Sequence, residues 1–149
     1  MKKDKMAGKS VATPATQHAA LCYRRLGTAE VEVLLITSRD TGRWVLPKGW
    51  PKKGEKGGSS ALREAREEAG VVGHLTADAP DFYFYDKVMP NAPALPCCVA
   101  VHRIAVSYLE FDFPEKSERH REWFSPAQAA AAVAEPELQA LLSDFRLPG

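Results

Sequence analysis

Between Gly49 and Val71 the sequence reads GWPKKGEKGGSSALREAREEAGV, a glycine- and lysine-rich loop running straight into a short acidic helix. The helix is expected from about Gly58 to Ala69, with Gly70 where a left-handed C-cap glycine belongs. Glu64, Glu67 and Glu68 are three and four residues apart, which projects their carboxylates from one helix face. Leu62, Ala65 and Ala69 fall on a different stripe and can face a core. Like charges at this spacing cost about a few tenths of a kcal/mol per pair. A helix tolerates that on a solvated surface, where Arg63 and Arg66 offer ion pairs, or where divalent cations neutralise the cluster. Mg²⁺ favours carboxylate oxygens, typically one or two together with waters and substrate phosphates. Arg43, Lys48, Lys52, Lys53 and Lys56 lie in or beside the loop. Read alone, these are solvated loop charges. Beside an acidic helix face they suit a metal-bridged polyphosphate, with the metal on the glutamates and the cations on the outer phosphates.

The rest of the chain limits the setting. Its 149 residues suffice for one domain. Lys plus Arg is 20 and Asp plus Glu is 19, so the net charge is 20 − 19 = +1, without the basic excess of a DNA-coating protein. Hydrophobic residues make up 45% and charged residues 26%, a globular balance that excludes whole-chain disorder. Cys22, Cys97 and Cys98 form neither a disulfide framework nor a zinc pattern, and read as small buried residues in a reducing compartment. No apolar run approaches the roughly 20 residues of a membrane helix. The basic start lacks the apolar core of a signal peptide, so the expected location is the cytoplasm and no membrane partner is expected.

Residues 1–17 are expected to form a basic, mobile tail carrying Lys2, Lys3, Lys5 and Lys9, and residues 18–149 a single domain. Gly8-Lys9-Ser10 resembles the end of a P-loop, but the required earlier glycine is replaced by Lys3 and no strand precedes it. Apolar runs at 20–23 and 31–37 predict strands in a hairpin turning near Gly27. Arg43 to Leu46 is a short extended stretch stopped by Pro47, and Lys48 to Gly58 a long loop with four glycines, one proline and four lysines. Strands are predicted at 81–88, 97–109 and 121–124, the second central in a sheet. Ser125, Pro126 and Gln128 spell a capping box opening a helix to about Ala134. Pro136 opens another, with Leu138, Leu141, Leu142 and Phe145 on its apolar face. This order predicts one mixed α/β domain.

The full spacing of the acidic segment is more specific than its parts. Gly49, Glu55, Arg63-Glu64, aliphatic Ala65, Glu67-Glu68, Gly70 and aliphatic Val71 match every defined position of the Nudix box, with seven identities over 23 residues. Ala65 is small for its position. The chain thus resembles the Nudix hydrolases, over roughly Ala19 to Phe145. The resemblance implies an α/β/α sandwich and hydrolysis of a pyrophosphate bond by water attack on phosphorus. It implies Mg²⁺ or Mn²⁺ held by Glu64, Glu67 and Glu68, with the Gly49 carbonyl as a further ligand. Arg63 would orient a glutamate of the cluster, Glu55 would support the loop, and Glu64 and Glu67 would join Arg63 in catalysis. Glu64, Glu110, Glu115 and Glu118 stay open as the general base.

Arg43-Trp44-Val45-Leu46-Pro47-Lys48-Gly49 and Glu122-Trp123-Phe124-Ser125 resemble the subgroup that cleaves diphosphoinositol polyphosphates and dinucleoside polyphosphates. With the dense lysines, this predicts a highly anionic small-molecule substrate contacted by Arg43, Lys48, Lys52, Lys53 and Arg24. Arg25, Arg119, His120 and Arg121 are further candidates for phosphate contacts, or ordinary surface charges. Tyr83, Phe84 and Tyr85 could stack on a base or pack within the sheet. His102, in an apolar strand, reads as a hydrogen-bonded structural histidine. Two other functions compete: a nucleotide-pool or RNA 5′-end pyrophosphohydrolase acting on nucleoside triphosphates or ADP-ribose, and a Nudix module that binds ligand or RNA without turnover.

Overall fold

Gly27, at φ +69°, turns the first hairpin, as the sequence predicts. It joins β1 (Ala15–Leu26) to β2 (Glu30–Thr37), with Tyr23 opposite Val33 and Arg24 opposite Glu32. The computed structural model describes residues 15–76 and 79–147. Because β1 starts at Ala15, the last three residues of the expected tail belong to the sheet; the remainder of that tail lies outside the described residues. Next come β3 (Trp44–Val45) and β4 (Lys48–Gly49), then α1 (Gly57–Ala69) and β5 (Val71–Leu75). They are followed by β6 (Asp81–Lys87), β7 (Leu95–Leu109), a 3₁₀ turn at Lys116–Glu118, and β8 (Arg121–Phe124). α2 (Pro126–Ala132) and α3 (Pro136–Ser143) complete the described chain.

The strands form one mixed sheet in the order β3-β2-β1-β7-β5, with β4 also on β1, β6 on β7 and β8 on β2. β1 and β7 run parallel over nine residue pairs, while the other pairings are antiparallel. Both faces of the central strands are buried, which explains their near-continuous apolar runs. Ala20, Cys22, Leu34, Ile36 and Ile104 face α1 through Ala61, Ala65 and Ala69. Ala19, Leu21, Tyr23, Val33 and Leu35 face the opposite layer, with Ala129, Leu138, Leu142 and Phe145. The result is the α/β/α sandwich implied by the resemblance.

The small Ala65 lets α1 sit close to the sheet, fully buried. Gly70 caps α1 at φ +69°, and its N–H donates to the carbonyls of Ala65 and Arg66. The Ser125–Gln128 capping box forms as predicted, but α2 stops at Ala132 because Val133 turns extended and buries its side chain. The expected long loop is shorter than its composition suggests: Lys48 and Gly49 pair with Ala19 and His18. No helix among the described residues is long and apolar enough to cross a membrane. Cys22 and Cys97 are buried, and burial pushes the Cys22 thiol up to about 12.

Candidate active site

α1 carries its carboxylates at the edge of its buried face. Glu64 and Glu68 are each 8% exposed, beside buried Ala61 and Ala65, while Leu62 is only half-buried. Glu67 is the more exposed of the three. β4 passes directly over this edge. A Cβ added at Gly49 would collide with the Glu64 carboxylate, so only glycine lets the strand approach that side chain.

Arg63 organises the acidic groups. Its Nε and Nη2 donate to the two oxygens of Glu55, both at 2.9 Å. Nη1 reaches Glu64 Oε2 at 3.2 Å and Glu67 Oε1 at 3.3 Å, and Nη2 also donates to the Trp50 carbonyl at 3.2 Å. One planar fork thus ties the loop to the helix. The hydrogen bonds from Arg63, then the Lys52 backbone N–H, hold Glu55 down to about 2. Glu55 therefore stays anionic and keeps Arg63 in place.

Glu68 lies at the other end of the cluster. Its Oε1 accepts the Lys48 backbone N–H at 3.3 Å, and its Oε2 is 3.6 Å from Arg119 Nη2. Burial lifts its carboxyl well above the ordinary carboxylate range; Arg119 opposes this, and the Glu64 carboxylate beside it adds to the lift. Arg119 is half-buried, donating to Glu115 at 2.7 Å and to the Thr37 carbonyl at 3.0 Å. A cleft of about 150 Å³ opens here, lined by Glu68, Lys48, Arg119, Arg39, Ser38 and Asp40 among others.

The predicted cations divide. Lys48 reaches the cleft, its ammonium 5.5 Å from the Tyr85 ring centroid. Burial lowers its pKa, while Glu135 and then Glu68 draw it back up. Arg43 pairs with Glu135 at 3.5 Å. Lys52 and Lys53 stand exposed on the loop between β4 and α1. Arg24 is not brought to the cluster: it pairs with Glu32 across the hairpin and stacks over Trp123 at 4.2 Å. Arg119 and Arg121 are tied into the fold, the latter donating to the Ala69 carbonyl at 2.7 Å. His120 anchors its backbone N–H on Thr37 Oγ1. Tyr83 is buried, Phe84 is exposed, and the Tyr85 hydroxyl donates to Gln17 at 2.7 Å. His102 is hydrogen-bonded, as expected, to His18 at 3.0 Å. Arg39 and Glu135 escaped the sequence reading, since their roles depend on contacts with distant residues.

The open candidates for the base also separate. Glu110 is half-buried and pairs with Arg66 at 3.0 Å, while Glu118 pairs with Arg39 at 3.1 Å at the surface. Glu115 shares Arg119 with Glu68, and its N–H donates to the Glu67 carbonyl at 3.0 Å.

Among the described residues no three carboxylate, imidazole or thiol groups form a ready-made cation cage. Arg63 lies between Glu64 and Glu67. The donor set still fits a hard cation: all are oxygens, and Glu64 and Glu68 are both buried, where a bound cation would offset their charge.

The model for the NUDIX domain matches residues 15–145. The chain belongs to the Nudix family. It is 32% identical over 112 residues to Nudix hydrolase 21, chloroplastic, of Arabidopsis thaliana, covering 72% of this chain and 52% of that protein. It is 47% identical over 58 residues to human diphosphoinositol polyphosphate phosphohydrolase 3-alpha, covering 38% of this chain and 34% of the relative. The Nudix chain thus spans about half or less of the length of these relatives. Its fold superposes on the Ap4A hydrolase of C. elegans with a TM-score of 0.67 at 19% identity, covering 88% and 95% of the two chains. The Nudix domain of Shewanella oneidensis NrtR, solved with ADP-ribose, matches with a TM-score of 0.66 at 17% identity, covering 92% and 90%.

Proposed function

We propose that this chain hydrolyses a pyrophosphate bond in a highly anionic small molecule, a diphosphoinositol polyphosphate or a dinucleoside polyphosphate, in the cytoplasm. The observation that carries the reading is the cleft in which buried Glu68 stands beside Lys48, Arg39 and Arg119. Carboxylates on one side and cations on the other are what a metal-bridged polyphosphate requires.

Glu64, Glu67 and Glu68 would hold the divalent cation, with the Gly49 carbonyl beside them. When bound, that cation supplies charge neutralisation on the diphosphate and lowers the pKa of water. Arg63 fixes the glutamates while Glu55 fixes Arg63. Lys48 and Arg39 neutralise substrate phosphates, aided by Lys52 and Lys53 from the loop. Glu64 is the candidate to receive the proton of the attacking water: Arg63 engages its Oε2, leaving Oε1 as the acceptor. The new P–O bond forms as the anhydride P–O bond breaks, and the leaving phosphate departs towards the cations.

One competition assay tests this. Full-length protein with Mg²⁺ receives equal concentrations of diadenosine pentaphosphate, a diphosphoinositol polyphosphate and ADP-ribose, and all products are followed. Preferential cleavage of either of the first two supports the reading. Preferential cleavage of ADP-ribose keeps the chemistry and overturns the anionic-substrate assignment. No cleavage favours a binding module.

A further inference from the structure

Two guanidinium groups line the cleft, those of Arg39 and Arg119, and they are held differently. Arg119 is fixed on three sides: Nε donates to Glu115 Oε1 at 2.7 Å, Nη1 donates to the Thr37 carbonyl at 3.0 Å, and Nη2 lies 3.6 Å from Glu68 Oε2. The Arg39 side chain is 55% exposed. Its Nη1 donates to Glu118 Oε1 at 3.1 Å, and its Nε lies 3.9 Å from Glu115 Oε1. One oxygen of Glu115 thus faces both arginines, although Glu115 does not itself line the cleft. Its backbone N–H is anchored on the Glu67 carbonyl at 3.0 Å. The backbone that carries Arg39 is also tied down. Ser38 N–H donates to the Arg43 carbonyl at 2.7 Å, and Gly42 N–H to the Ser38 carbonyl at 3.0 Å. Thr37 N–H donates to the His120 carbonyl at 3.0 Å, and His120 N–H to Thr37 Oγ1 at 2.8 Å, which joins this loop to the start of β8. What remains adjustable is the Arg39 side chain, with two carboxylates in reach: half-buried Glu115, already fixed by Arg119, and exposed Glu118. An exposed ion pair such as that with Glu118 is weak and easily given up.

We propose that Glu115 is a positioning residue, which keeps the Arg39 guanidinium at the cleft wall to meet the substrate phosphates, while Glu118 competes for it from outside. This rests on the pyrophosphohydrolase reading above. Two guanidinium groups lining one cleft repel each other, and the carboxylate they share offsets that repulsion. Arg119 fixes Glu115 Oε1, and Glu115 Oε1 in turn sets where Arg39 Nε rests. An entering phosphate replaces Glu118 as the partner of Arg39 Nη1, in a charge-assisted hydrogen bond, while Nε stays beside Glu115. Glu115 is then an anchor for cations and not the acceptor of the water proton. Net charge alone gives the opposite expectation, because removing an anion beside the cleft would tighten an anionic ligand. The sign of the effect therefore separates positioning from simple electrostatics.

Binding of diadenosine pentaphosphate is measured by calorimetry on the full chain, with a chelator present so that the arginines are read without divalent cation or turnover. Glu115→Gln should weaken binding by about 5-fold or more, against the tightening that loss of charge alone would give. In the Arg39→Gln background the same change should no longer weaken it. Unchanged or tighter binding by Glu115→Gln, an equal loss in both backgrounds, or a wild type that does not bind overturns the proposal. Glu118→Gln alters an exposed side chain, leaves Arg119 with its partners, and decides the matter if Glu115→Gln does not fold. It should tighten binding by about 2- to 5-fold in the wild type and by less than about 1.5-fold in Arg39→Gln. Equal tightening in both backgrounds, or none in either, overturns the proposal. Wild-type turnover with Mg²⁺, measured separately, reports on the hydrolase reading. Its failure, with the coupling between Glu115 and Arg39 intact, would leave the positioning of Arg39 standing as a statement about binding.

Discussion

Replacing Gly49 by alanine should separate catalysis from stability. The new Cβ would stand 2.6 Å from Glu64 Cδ, and ordinary contact begins near 3.4 Å. Cδ alone must therefore retreat by 3.4 − 2.6 = 0.8 Å, and Oε2, which lies nearer still, by more than that. Because a carboxylate at the end of a flexible side chain can swing away, the fold is little strained. Gly49 is not among the glycines at positive φ, so alanine fits the backbone and gains about 0.4–1 kcal/mol from a less disordered unfolded chain. The displacement offsets much of that gain. For a catalytic carboxylate, a shift of about 1 Å costs up to about 100-fold in turnover. Thermal unfolding and Mg²⁺-dependent hydrolysis of diadenosine pentaphosphate, run on the same preparation, check both halves. Gly49→Ala should melt within about 4 °C of the wild type, the shift that about 1 kcal/mol gives at this size, while losing one to two orders of magnitude in kcat. Activity within about 3-fold of wild type would refute the Glu64–Gly49 packing argument. A fall in Tm beyond about 8 °C would show that glycine serves the fold instead.

Three further outcomes follow from the ion pairs and burial. The folded Glu68 carboxyl holds its proton to about 8 rather than 4.5, so without divalent cation the wild type loses stability as pH rises through that window. Glu68→Gln does not, and its Tm advantage should widen by about 3–6 °C between pH 5 and pH 8.5; a constant gap contradicts this. Arg119→Met strips the cation from Glu115 and Glu68 in a buried setting and should cost about 2–4 kcal/mol by denaturant midpoint, against which a change below about 0.5 kcal/mol would count. Lys52→Ala with Lys53→Ala should raise KM more for diadenosine pentaphosphate than for ADP-ribose, and an equal rise would remove the role assigned to the loop lysines.

Local signals in the sequence were reliable where the structure is local. The Gly27 turn, the left-handed Gly70 cap and the Ser125–Gln128 capping box depend on neighbouring residues, and each forms as expected. Helix periodicity alone puts the three glutamates on one face, and the box spacing carried the family. What escaped depends on distant partners. β5 holds Gly73 and His74, which carry little strand signal, and forms by pairing with β7 around a register shift at Val72/Gly73. β4 is two residues in a glycine-rich stretch that only β1 makes into a strand. Arg24 looked free for substrate until the β1–β2 register set it opposite Glu32. Arg39 and Arg119 reach Glu115 and Glu68 through tertiary contacts that no spacing rule encodes.

The central claim, that the glutamates of α1 drive metal-dependent pyrophosphate hydrolysis, is tested most directly by comparing wild type with Glu67→Gln on diadenosine pentaphosphate in Mg²⁺ and again in excess chelator, with both proteins shown to be folded by circular dichroism. The account predicts turnover only for the wild type in Mg²⁺, with Glu67→Gln slower by at least about 100-fold and equal in its melting behaviour. Wild-type turnover that persists in chelator, or Glu67→Gln turnover equal to the wild type in Mg²⁺, would contradict it.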